Sequence, residues 1–189
     1  MNAVVFLLPA ILNLILSVLI LRVLLQLVRA NFYNPISQLI WRLTTPLVGP
    51  LARFIPRWKT LDIAGLLVLL AVSIIGVWIV YLTILHALMP QVFSLGDWTD
   101  LVATAVLKVI NLTVQLYVLS IFAQALLSWV GPGVNNPHAN ILWSLNEPLL
   151  RPVRRILPPF SGLDLSPIPV ILILLTIDHV LSLKLGHFG

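Results

Sequence analysis

Residues 34–62 read NPISQLIWRLTTPLVGPLARFIPRWKTLD, and residues 136–164 read NPHANILWSLNEPLLRPVRRILPPFSGLD. At an offset of 102, Asn34-Pro35 falls on Asn136-Pro137, Trp41 on Trp143, Leu43 on Leu145 and Pro46-Leu47 on Pro148-Leu149. Pro50 falls on Pro152, Arg53 on Arg155, Pro56 on Pro158 and Leu61-Asp62 on Leu163-Asp164. Eleven identities in 29 positions without a gap, four of them prolines, mark an internal duplication, and a duplication sets the architecture.

What flanks each copy is apolar. Crossing a bilayer as a helix takes about 20 apolar residues. Four stretches qualify: about Val4 to Val28, Ile63 to Leu88, Leu101 to Val130 and Ile168 to Leu185. The first exceeds a cleavable signal's apolar core, has no Lys or Arg before it, and is read as a retained span. The chain is 60% hydrophobic and 9% charged, against about 25% charge in a soluble domain. Lipid is therefore its main solvent. The fold class is an all-α integral membrane protein of four spans in two repeats. Repeat one covers 1–88 (loop 29–62), a short connection covers 89–100, and repeat two covers 101–189 (loop 131–167). An even number of spans per repeat gives the copies parallel topology, related by an axis along the membrane normal.

Charge orients the bundle. The two long loops contain or border Arg29, Arg42, Arg53, Arg57, Lys59, Arg151, Arg154 and Arg155, whereas residues 89–100 hold Asp97 and Asp100 and no base. Lys and Arg collect in cytoplasmic loops. Both long loops are expected in the cytoplasm and both termini on the opposite side. The net charge of +5 suits an anionic membrane surface, and no nucleic-acid-binding pattern accompanies it. No cysteine is present, which removes disulfides and thiolate metal sites.

Each loop reads as an amphipathic segment. Asn-Pro opens a helix. Ile36, Leu39, Ile40, Leu43 and Leu47 recur at helical spacing, and Ile141, Leu142, Leu145 and Leu149 take the corresponding positions from the second onward. Paired prolines four residues apart are expected to break that helix, leaving a segment that lies at the interface or re-enters the membrane.

The second copy, from Asn136-Pro137 through Glu147-Pro148-Leu149-Leu150-Arg151-Pro152-Val153-Arg154-Arg155 to Asp164-Leu165-Ser166-Pro167, resembles the YggT family, small bacterial membrane proteins with chloroplast relatives, called YlmG in some bacteria. The first copy is a degenerate version, with Gly49, Ala52 and Ala64 where the second has Arg151, Arg154 and Ser166. The resemblance implies a cell inner-membrane protein. It also implies links to osmotic stress and ion homeostasis, and to cell division or the distribution of nucleoids and chloroplasts.

Three sets of residues are candidates. Arg151, Arg154 and Arg155, with Arg53, Trp41 and Trp143, suit docking of anionic headgroups or of an acidic cytoplasmic partner, and also serve as a topology signal. Asp62 and Asp164 precede the second span of each repeat, where the helix dipole favours a carboxylate. Arg53 and Arg155 are their expected partners. Intramembrane polar residues form the third set: Arg22, Lys108, Asp178 and His179. At 1.5 Å per residue Arg22 lies about 10 Å and Asp178 about 16 Å from the cytoplasmic ends, while Lys108 is about 30 Å away. Arg22 is therefore the expected partner of Asp178. Such a polar path suggests an ion or osmolyte transport component, and four spans enclose so little lumen that a pore requires a homo-oligomer. The repeat motif Asn34, Pro35, Pro46, Pro50, Pro56, Asp62, Asn136, Pro137, Pro148, Pro152, Pro158 and Asp164 is read as structural. No phosphate loop, nucleophile elbow, paired carboxylates or His ligand spacing occurs, so no catalytic, cofactor or metal residues are expected. The favoured function is a non-enzymatic membrane scaffold or envelope factor acting through its cytoplasmic basic segments.

Overall fold

The computed structural model describes residues 3–31, 33–55, 61–88, 98–130, 137–157 and 164–187. Asn136, Pro56, Pro158, Arg57 and Lys59 lie outside them. Six helices follow in order: α1 (Ala3–Leu27), α2 (Pro35–Ala52), α3 (Ile63–Leu88), α4 (Trp98–Val130), α5 (Pro137–Ile156) and α6 (Pro167–His187). Four of them, α1, α3, α4 and α6, are long and apolar enough to cross a membrane. They take the places that hydropathy assigns.

Within each repeat the two spans run antiparallel. Late in α1, Arg22 reaches Asp62 at the head of α3, and early in α1, Leu12 occupies the space beside Gly76, where any side chain would overlap it. In the second repeat α4 pairs with α6 in the same way, Asn111 meeting Asp178 and Ile121 packing with Val170. Leu16, Leu19, Ile20, Val48, Leu69 and Leu112 make the largest cluster, which joins the repeats.

Local chemistry shapes α2. Asn34 accepts the Ile36 N–H at 3.0 Å as N-cap, and Pro35 follows at the first helical position. From there α2 runs back alongside α1. Ile40 packs near Leu25, the Thr44 hydroxyl meets Arg22, and Val48 joins Leu16 and Leu19. Both α2 and α5 therefore fold back beside the span that precedes them, α5 through Asn146 on Gln124 and Leu150 on Ile121.

The prolines do not end these helices. Pro46 and Pro50 lie inside α2, which continues to Ala52, and Pro148 and Pro152 lie inside α5, which continues to Ile156. The reason is spacing. Prolines four apart fall on one helix face, and Pro46, Pro50, Pro148 and Pro152 all point outward. The lost backbone bonds are confined to that side, while Ile40, Thr44 and Val48 keep the inner side packed.

The turn after α1 is a Schellman motif. The Ala30 N–H donates to Leu25 O at 2.8 Å and the Arg29 N–H to Gln26 O at 3.1 Å. This needs a left-handed residue, and Arg29 supplies it at φ 54°.

Candidate functional site

The first repeat holds a buried cation. Arg22 is 4% exposed, a position that a guanidinium tolerates only with partners on every side. Its Nε donates to Asp62 Oδ2 at 3.0 Å, and its Nη1 donates to Thr44 Oγ1 at 2.9 Å. The guanidinium carbon lies 3.7 Å from the centre of the Trp41 ring, a cation–π contact. Three elements therefore meet at one charge: α1 gives the arginine, α2 gives Thr44 and Trp41, and the residue before α3 gives the carboxylate. The other oxygen of Asp62, Oδ1, accepts the Gly65 N–H at 3.0 Å and caps α3.

The second repeat reaches the same chemistry by another route. Position 124, the counterpart of Arg22, is Gln, and position 154, the counterpart of Ala52, is Arg. Arg154 on α5 donates from Nε to Asp164 Oδ2 and from Nη1 to Glu147 Oε2, both at 2.8 Å, and stands 5.0 Å from the Trp143 ring centre. Neutral groups fill the buried position it leaves. Asn146 Nδ2 donates to Gln124 Oε1 at 2.8 Å, and the Ser120 hydroxyl donates to Asn146 Oδ1 at 2.6 Å. Asp164 accepts the Ser166 N–H, because its counterpart of Gly65 is Pro167, which has no N–H. Partial burial pushes the Asp164 pKa up, but the hydrogen bonds from Ser166 and Arg154 and the Arg154 charge outweigh it and hold the carboxyl below the usual range.

Three expected pairings are corrected. Arg22 partners Asp62 and not Asp178. Asp62 is held by Arg22 and not Arg53, and Asp164 by Arg154 and not Arg155. Arg22 lies one helix repeat below its end, level with the head of α3, so Asp62 is nearer than any residue of α6. Arg53 follows the last turn of α2 and points outward, as does Arg155 on α5.

Asp178 has different company. Asn111 Nδ2 and Gln115 Nε2 both donate to its Oδ1, at 2.8 and 3.0 Å, and no cation pairs with it among the described residues. His179 is exposed on α6, and Lys108 is half-buried on α4 and in no ion pair among the described residues. Arg22, Lys108, Asp178 and His179 thus do not form one path.

The outer face of α5 carries the remaining bases. Arg151 and Arg155 are exposed, lie one turn apart, and make no ion pair among the described residues. The Arg154 clamp fixes the helix that presents them. Sequence reasoning missed both the Arg22–Asp62 pair and the role of Glu147. The signal was present: extending the 102-residue register into the spans sets Arg22 over Gln124 and Ala52 over Arg154, so each repeat keeps one arginine for one aspartate.

A four-span, all-helical membrane bundle of two repeats, each with an amphipathic helix that folds back on its first span and is clamped by an Arg–Asp–Trp set, is the class that fold and site define. Within that class the chain belongs to the CCB3/YggT family, whose sequence profile matches residues 1–83 and 103–185, two segments separated by the same 102 residues as the repeat. It is 36% identical to the uncharacterized protein PA0392 of Pseudomonas aeruginosa over 94% of this chain and 87% of that one. It is also 36% identical to the uncharacterized protein YggT of Escherichia coli, over 94% and 88%. An uncharacterized protein of Haemophilus influenzae is 37% identical over 94% and 90%. No solved structure matches the chain.

Proposed function

We propose that this protein is a non-enzymatic scaffold of the cell inner membrane, with α2 and α5 at the cytoplasmic surface and the exposed arginines of α5 docking anionic lipid headgroups. The excess of bases in both long loops supports that orientation. One observation carries the reading. Arg154 is engaged inside the fold, whereas Arg151 and Arg155 stand exposed on one helix face with no carboxylate partner among the described residues. A topology signal needs only charge, while this arrangement aims two guanidiniums the same way, at about 1 kcal/mol each against an anionic surface. Trp143, 41% exposed, adds an indole at headgroup level.

Native mass spectrometry of the protein released from bilayers of mixed phosphatidylglycerol and phosphatidylcholine tests this. Retained phosphatidylglycerol should exceed retained phosphatidylcholine, and Arg151→Gln with Arg155→Gln should abolish the preference. Equal retention of the two lipids by the unaltered protein contradicts the reading.

A second reading, an ion or osmolyte transport component, is supported by Asp178, an intramembrane carboxylate bonded to two amides and to no cation among the described residues. Flux through reconstituted protein that Asp178→Asn removes would favour it over the scaffold.

A further inference from the structure

The two repeats do not meet symmetrically. Repeat one lays α3 against α4 of repeat two, and the Ser73 hydroxyl donates to the Ala105 carbonyl at 2.9 Å inside that contact. A two-fold arrangement would lay α6 against α1 in the same manner, and among the described residues these helices share no such packed interface. The contact is therefore heterologous: two different surfaces meet, and one further copy of each is left over.

The 102-residue register identifies the surfaces left over. On α4, Ala105, Val109, Leu112 and Leu116 follow one helix face. Ala105 is buried under Ser73 of repeat one, and the other three pack into the cluster that joins the repeats. Their counterparts on α1, Ala3, Leu7, Ala10 and Leu14, are all exposed. On α5, Ile141 packs among Leu25, Ala30 and Ile40 of repeat one, and Leu145 is buried too. Their counterparts on α2, Leu39 and Leu43, are 56% and 57% exposed. The opposite surface shows the same contrast. Leu25 and Ser73 are buried at 4% and 0%, whereas Leu127 and Leu175, which correspond to them, are exposed at 44% and 47%.

Lipid alone is a poor cover for the open face of α6. It also bears His179, exposed, in place of the half-buried Val77 of α3. Polar side chains within a span face protein or a water-filled cavity.

We infer that the chain assembles head to tail with a second copy of itself in the membrane plane. The α6 face of one copy packs on α1 and α2 of the next, as α3 packs on α4 within the chain. Repeats related about the membrane normal then form a ring where the rotation closes and an array where it does not. This inference is independent of lipid docking by Arg151 and Arg155, which lie on another surface.

The chain has no cysteine, so single thiols report contacts cleanly. The counterpart of the Ser73–Ala105 contact is Leu175 of one copy on Ala3 of the next. The counterpart of the Leu25–Ile141 contact is Leu127 on Leu39. Variants Ala3→Cys and Leu175→Cys, differently tagged, are co-expressed and the membranes oxidised; Leu39→Cys with Leu127→Cys provides a second pair at the other membrane face. The expected product is a disulfide-linked species at twice the 21.0 kDa of one chain, carrying both tags, from either mixture and not from any variant expressed alone. The inference is overturned if neither mixture gives the doubled species. It is also overturned if single variants give as much as the mixtures, or if the unaltered protein in lipid nanodiscs has only the mass of one chain.

Discussion

Arg22 and Arg154 occupy non-equivalent positions in the two repeats, one on the span α1 and one on the amphipathic helix α5, and both close on the equivalent aspartate and stack on the equivalent tryptophan. The duplication has kept the interaction while moving the residue that makes it. Repeat one thereby pins three elements, α1, α2 and the head of α3, to one charge, and repeat two pins two, α5 and the head of α6.

That exchange predicts a rescue. Arg22→Gln leaves Asp62 buried without a cation and should cost roughly 3–5 kcal/mol. Adding Ala52→Arg places a guanidinium where Arg154 stands in the second repeat. Thermal unfolding in detergent should show a large fall in Tm for Arg22→Gln and recovery of more than half of it in the double variant. An equal or deeper fall in the double variant would refute the equivalence.

The second clamp is pH-sensitive. The carboxyl of Asp164 is held below the usual range in the folded protein, so the ionised form favours folding. The stabilisation is fully present above the ordinary carboxylate pKa and is lost as pH falls through the depressed value. Tm should therefore drop below about pH 4, and Asp164→Asn should flatten that part of the profile while lowering Tm at neutral pH. An unchanged profile in Asp164→Asn would remove Asp164 as the cause.

Arg29 bears a backbone cost. It sits left-handed at φ 54°, where a side chain costs about 1–2 kcal/mol. Its counterpart in the second repeat is Gly131. Arg29→Gly should raise Tm by a few degrees, since the turn needs the conformation and not the charge. A lower Tm would show that the guanidinium matters more than the strain.

The architecture was legible because it is written in periodicities: four apolar runs, a 102-residue repeat, and an apolar stripe at helical spacing in each loop. Asn34 as a cap and Asp62 at a helix head could also be read from local chemistry. The ion pairs could not. Arg53 and Arg155 were the nearest bases in the repeated motif, whereas pairing is decided by depth and by which face of α1 or α5 turns inward. The prolines misled because a propensity reading considers one residue at a time. On one outward face, with packing on the other, two of them leave the helix intact.

The arginine cluster of α5 is where fold and function separate most cleanly. Arg154 holds the helix, and Arg151 and Arg155 face outward from it. The most direct test compares Arg154→Gln with the Arg151→Gln, Arg155→Gln double variant, measuring Tm in detergent and phosphatidylglycerol retained in native mass spectra. The predicted result is a fall of several degrees in Tm for Arg154→Gln, and for the double variant an unchanged Tm with the anionic-lipid preference gone. A double variant that keeps the preference, or an Arg154→Gln protein as stable as the unaltered chain, would contradict it.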